Sequence, residues 1–105
     1  MPDAVVNLDS SNFKEVTDSG VCVVDFWAPW CGPCKMLNPI IESLSGQVKG
    51  AKVVKVDIDS EPKIARDFSV RSVPTIIIMK DGGVVNRLVG MQSLQSLLAE
   101  VRKLS

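Results

Sequence analysis

The chain has 105 residues, 46% of them hydrophobic, enough to close one core, and one domain is predicted over residues 1–105. Its 12 basic and 12 acidic residues cancel to a formal net charge of zero and are spread along the chain, so no basic stripe is available for a phosphate backbone and nucleic acid is not an expected partner. No apolar run approaches the roughly 20 residues needed to span a bilayer, so no membrane partner is expected either.

Ala4-Val5-Val6-Asn7-Leu8 reads as a short first strand. Ser10-Ser11-Asn12 supplies capping side chains for a helix running to about Asp18, with Phe13 and Val16 on its inner face, and Gly20 ends it. Val21 to Trp27 is apolar on both faces except for Asp25, the pattern of a central strand covered by helices on each side. Beyond Cys34, residues Leu37, Ile40, Ile41, Leu44 and Val48 follow helical spacing, which predicts a helix ending between Gly46 and Gly50. Pro39 inside it removes a backbone donor and crowds the preceding turn, so a kink rather than a break is predicted.

Ala51 to Asp57 is the next strand, and Ser60-Glu61-Pro62 opens a helix continued by Ile64, Ala65 and Phe68. Thr75 to Met79 is a β-branched run that Asp81-Gly82-Gly83 turns back into Val84 to Val89, a hairpin. Ser93 caps a last helix with Leu94, Leu97, Leu98, Val101 and Leu104 on one stripe. The order βαβα, βα, ββα predicts parallel strands with right-handed crossovers in the first half and antiparallel strands from the hairpin.

The chemistry gathers at Trp30-Cys31-Gly32-Pro33-Cys34, between the central strand and the long helix. Two thiols at this spacing can close a disulfide ring or share a metal. A zinc site usually takes four Cys or His ligands, and this chain offers three cysteines and no histidine, so a redox pair is favoured. At a helix start the unpaired N–H groups and the positive end of the dipole stabilise a thiolate on Cys31. Cys31 is therefore the expected nucleophile, its sulfur partly exposed and its pKa below the free-thiol value of about 8.5. Cys34, one turn deeper, is placed to resolve a mixed disulfide on Cys31. Gly32 lets the backbone turn, and Pro33 fixes φ and stiffens the ring. Asp25 sits among apolar neighbours, where desolvation would raise a carboxyl pKa and leave it able to pass a proton to or from Cys34, against the plainer reading of a strand-end aspartate that caps or faces solvent. Cys22, mid-strand, reads as an inert small hydrophobe. Exposed Lys35 could favour the Cys31 thiolate electrostatically, against the plainer reading of a solvated side chain. With no histidine there is no Cys–His acyl-transfer site.

These residues resemble one family, thioredoxin. The resemblance covers nearly the whole chain and rests on Asp25-Phe26-Trp27-Ala28-Pro29-Trp30-Cys31-Gly32-Pro33-Cys34-Lys35, on Lys55-Val56-Asp57, on Ser72-Val73-Pro74-Thr75, and on Gly82 and Gly90. It implies an α/β thioredoxin fold, a five-stranded mixed sheet flanked on both faces by four helices. It also implies a cis-proline at Pro74 that leaves the backbone of Val73 free to pair with an extended substrate. Trp30, Pro33, Gly90 and Met91 would then complete an apolar docking surface, with Met91 where the family often has a smaller residue. Lys55 matches the family's lysine near the buried aspartate, and Trp27 is expected to pack against the active-site loop.

Function follows from the same likeness. Gly-Pro between the cysteines resembles the reducing members, whose couples lie near roughly −270 mV against about −120 mV for oxidants. The resemblance implies a general protein disulfide reductase, an electron carrier with no bound cofactor, re-reduced by thioredoxin reductase drawing on NADPH. Clients would include ribonucleotide reductase, peroxiredoxins and methionine sulfoxide reductases, and the chain is expected to be a monomer. Met1-Pro2-Asp3-Ala4 lacks the basic start and apolar stretch of a signal peptide, and a reactive pair plus a spare thiol suits a reducing compartment. A cytoplasmic location is expected, or an organelle if a transit peptide has been removed. The rival from another class is a binding or scaffold subunit that uses the same apolar surface with its redox chemistry incidental. An oxidase or isomerase on this fold would favour a histidine between the cysteines, and this sequence has none.

Overall fold

The structure, a computed structural model, describes residues 5–104. In chain order the elements are β1 (Val6–Asn7), α1 (Phe13–Thr17), β2 (Val21–Trp27), α2 (Gly32–Gln47), β3 (Ala51–Asp57), α3 (Pro62–Asp67), β4 (Thr75–Lys80), β5 (Gly83–Val89) and α4 (Leu94–Arg102). The strands form one sheet in the order β1-β3-β2-β4-β5. β1 and β2 run parallel to β3, while β4 is antiparallel to both β2 and β5. This is the mixed sheet the element order predicts, and it places β2 centrally.

Alternation along β2 divides the core in two. Val21 and Val23 face the layer of α2 and α4, packing with Leu37, Ile41, Leu44, Leu97, Leu98 and Val101. Cys22, Val24 and Phe26 face the other layer, with Phe13 of α1 and Ile64 of α3. A fully buried aliphatic side chain contributes about 1.5–3 kcal/mol, so a strand buried on both faces is an anchor for both layers. Asp25 shares the α2 face with Val23, two residues away. It is the charged side chain in an otherwise apolar seam.

The ends of several elements differ from expectation. β1 has two residues, because only Val6 and Asn7 pair with β3; Leu8 adds one further bond to Lys55, and Ala4 lies outside the described residues. Asn12 precedes α1 without capping it: its Oδ1 accepts instead from the N–H of Asp9, whose own carboxylate accepts from Ser11. The helix stops at Thr17. Ser60 does not cap α3 either. Its N–H and hydroxyl both donate to Asp57, leaving Glu61 as N-cap with Pro62 in the first turn as expected. α2 runs unbroken through Pro39, which has no N–H to give the Lys35 carbonyl, and ends at Gln47. The hairpin turns on Asp81 (φ 50°) and Gly82 (φ 86°), the positive φ values a two-residue turn between right-twisted strands demands.

Candidate functional site

Pro33 in the first turn of α2 and Cys31 as its N-cap fix the motif on the helix start. Cys31 and Cys34 form a disulfide, with Cα atoms 5.3 Å apart. Cys31 Sγ accepts a hydrogen bond from the Cys34 N–H at 3.1 Å, the capping role an oxygen side chain usually fills. That contact places a helix N–H and the dipole's positive end on the sulfur expected to carry negative charge. Cys31 is 4% exposed and Cys34 1%, so the first sulfur is less open than expected in the oxidised state. The cause is local: Ala28 packs beneath the pair, and Trp27, Ile58 and Val73 close in around it.

Exposed apolar groups surround this nearly closed ring. Trp30 is 67% exposed, its indole N–H donating to Asp59 Oδ2 at 2.9 Å, and Met91 is 46% exposed. The Val73–Pro74 bond is cis, and the Pro74 carbonyl accepts from the Gly90 N–H at 2.9 Å, which ties the segment before Met91 to the one beside the disulfide. Neither backbone group of Val73 has a hydrogen-bond partner among the described residues. Pro33 and Lys35 lie exposed on the first turn of α2.

Asp25 is fully buried, and neither carboxylate oxygen has a protein hydrogen-bond partner. Burial pushes its carboxyl up to about 6, and Lys55 pulls the other way. Asp25 and Lys55 are partners in the β2–β3 register, so their side chains leave the same face side by side. The lysine, however, is occupied elsewhere. Its Nζ donates to Asn38 Oδ1 at 2.9 Å and lies 4.7 Å from the Trp27 ring centroid, while the Trp27 indole N–H is held by Asn7 Oδ1 at 2.8 Å. Asn38 is one helical turn beyond Cys34, so Lys55, the register partner of Asp25, is held against the opening turns of α2. Burial raises the Cys22 thiol to about 11, in keeping with an inert core residue on the opposite face. The sequence pattern does not single out Asn38, Asp59 or Asn7. Only Asn38 carries a signal, a polar residue at i+4 from Cys34 on a face otherwise marked by Leu37 and Ile41.

Among the described residues no group of three or more His, Cys, Asp or Glu side chains is arranged to hold a metal ion, and no helix is long and apolar enough to cross a membrane. A disulfide-forming pair at a helix N-cap, packed with the residue before a cis-proline on a sheet whose central strand carries a buried carboxyl, defines a thiol–disulfide oxidoreductase. The thioredoxin family model matches residues 4–103. A thioredoxin from Staphylococcus saprophyticus is 46% identical over 101 residues, covering 95% of this chain and 97% of that protein. One from Chlamydia trachomatis is 44% identical, covering 91% and 94%. Among solved structures, a mutant thioredoxin from Halobacterium salinarum superposes with a TM-score of 0.90 at 34% identity, covering 98% of this chain and 92% of that one. The chain belongs to the thioredoxin family, and its chemistry is dithiol–disulfide exchange through Cys31 and Cys34.

Proposed function

We propose that the chain is a general protein disulfide reductase, acting as one domain over residues 1–105 and donating electrons to client proteins. The observation that carries this reading is the Cys31–Cys34 disulfide pair on the N-terminus of α2, with the Cys31 sulfur capped by a helix N–H and Cys34 buried inside the first turn. In the reduced protein, the Cys31 thiolate attacks one sulfur of a client disulfide. A mixed disulfide forms and the client's other sulfur leaves as a thiolate. Cys34 loses its proton to the Asp25 carboxylate and attacks Cys31 Sγ, closing the internal disulfide and expelling the second client thiolate. Two electrons pass from the pair to the client. Gly32 and Pro33 set the geometry and redox poise of the ring, and Lys55 modulates Asp25.

Client recognition falls to Trp30, Val73, Pro74, Gly90 and Met91. The unpartnered backbone groups of Val73 support pairing with an extended client segment, a short strand addition. Exposed Trp30 and Met91 give that segment an apolar seat. Thioredoxins work with thioredoxin reductase and disulfide clients. For this chain the electrons come from NADPH through that reductase, the clients include ribonucleotide reductase, peroxiredoxins and methionine sulfoxide reductases, and the setting is the cytoplasm.

Two measurements test the reading together. Reduction of insulin disulfides should proceed with thioredoxin reductase and NADPH, and the couple should lie near roughly −270 mV. A couple near about −120 mV would reverse the direction of flow. Cys34→Ser should accumulate covalent mixed disulfides on Cys31 and lose turnover; a scaffold with incidental redox chemistry would keep its function in that variant.

A further inference from the structure

The nearest cation to Asp25 along the sheet makes no ion pair with it. Asn7, Lys55, Asp25 and Ile76 form one row across β1, β3, β2 and β4. In that row Lys55 is the cation within reach of the carboxylate, yet no ion pair joins them among the described residues. An unpaired carboxylate in an apolar seam and a flexible lysine one strand away would ordinarily meet, because their attraction grows as water is excluded. Two contacts hold the ammonium elsewhere: the Asn38 Oδ1 acceptor at 2.9 Å and the face of Trp27 at 4.7 Å.

We propose that Asn38 is a positioning residue: by accepting a hydrogen bond from Lys55 Nζ, its amide keeps the ammonium between α2 and Trp27 and out of a direct ion pair with Asp25, so that its charge acts on the buried carboxyl only at longer range. This rests on the reading that Asp25 handles the Cys34 proton. A carboxyl paired to a lysine stays ionised well below neutral pH and is a poor proton carrier near pH 7; an unpaired one titrates close to the working range. The division of labour is physical. Trp27 attracts the cation over a broad ring face, which alone does not fix its direction. The asparagine supplies a directed, neutral acceptor that competes with Asp25 for the ammonium without adding a charge of its own. An aspartate at position 38 would also hold Lys55, but at the cost of a second carboxylate facing the first.

The titratable groups facing Asp25 are few. β3 contributes Lys55 and β4 the apolar Ile76 in the same row, and the opening turn of α2 carries Cys34, Cys31 at its cap and the exposed Lys35. In the oxidised protein the two cysteines do not titrate, which leaves Asp25 and the two lysines. The test is therefore made on oxidised full-length protein with 13C-labelled aspartate side chains, following the Asp25 carboxyl resonance against pH. Asn38→Ala should lower the Asp25 midpoint by half a pH unit or more, Lys55→Met should raise it, and Asn38→Gln should return it toward the parent value. The Asn38→Ala shift should vanish in a Lys55→Met background. An Asn38→Ala variant whose midpoint stays put or rises overturns the proposal. So does a shift that persists without Lys55, since that would mean the alanine merely admits water. The resonance moves whether or not Asp25 takes part in exchange. Failure here is thus separate from failure of the catalytic reading, which Asp25→Asn turnover decides.

Discussion

At position 25 the chain sets a carboxyl group where every neighbour along the strand is apolar, and the group answers by holding its proton more tightly. With its midpoint at about 6, Asp25 is mostly ionised at pH 7 yet within one unit of accepting a proton. Cys34 by contrast is buried and must lose a proton to attack Cys31. Replacing Asp25 with asparagine keeps the shape and removes the acceptor. Resolution of mixed disulfides at pH 7 should slow by about a hundredfold, the lower end of general acid–base effects. The deficit should shrink as pH rises, because hydroxide increasingly removes the Cys34 proton without help from a neighbouring base. Rapid-quench trapping of the mixed disulfide across pH 6–9 measures this. A uniform deficit at all pH values would point to lost packing instead of a lost base.

The elements reveal how much of this arrangement the residue pattern discloses. β2 is legible to its end residues because a strand buried on both faces must be an almost apolar run, whereas β3, with Lys52, Lys55 and Asp57 only partly buried, is legible from its β-branched centre and the Gly50 before it. The Cys31–Cys34 site is equally legible, since it lies within five consecutive residues at a strand-to-helix junction. Edge and cap details are not. Whether Asn12 caps α1 or folds back onto Asp9 depends on competing local hydrogen bonds of nearly equal strength. Nor does the strand pattern say that the fourth residue past Cys34 holds Lys55, because that contact joins α2 to β3 through the crossover. Where a cap does form, its worth can be measured. Ser93 Oγ accepts from the Ser96 N–H at 3.0 Å at the start of α4, so Ser93→Ala should cost about 1 kcal/mol in urea unfolding with an unchanged slope. Ile41→Ala should cost more, about 2–5 kcal/mol, because Ile41 is fully buried between α2 and the sheet and its loss leaves a cavity. The ordering has a plain cause: a cap satisfies one end of one helix, whereas Ile41 belongs to the core cluster that joins α2 and α4 to the sheet.

For the molecule as a whole, the same carboxyl sets a pH dependence of stability. In the unfolded chain Asp25 should ionise near its ordinary value of 3.8, and in the folded protein near 6. Between those values the folded state holds the extra proton, so raising pH releases it from the native protein and lowers the free energy of unfolding. The fully protonated contribution is present below about pH 4, and it is lost as pH climbs through 6 to a plateau. A difference of about two units corresponds to about 3 kcal/mol, and with the side chain fully buried no solvent screens it. Surface carboxylates such as Asp9, held low by its hydrogen bonds to Ser11, act in the opposite direction at lower pH but lie in water and add little. Asp25→Asn should therefore stabilise the oxidised protein at pH 8 by a large part of that amount and change it little at pH 4, with the two unfolding curves converging as pH falls. Denaturant titrations at pH 4, 6 and 8 would show it. If the variant were no more stable than its parent at pH 8, the carboxylate would have to be solvated or paired in the native state, and the role assigned to Lys55 and Asn38 would go with it.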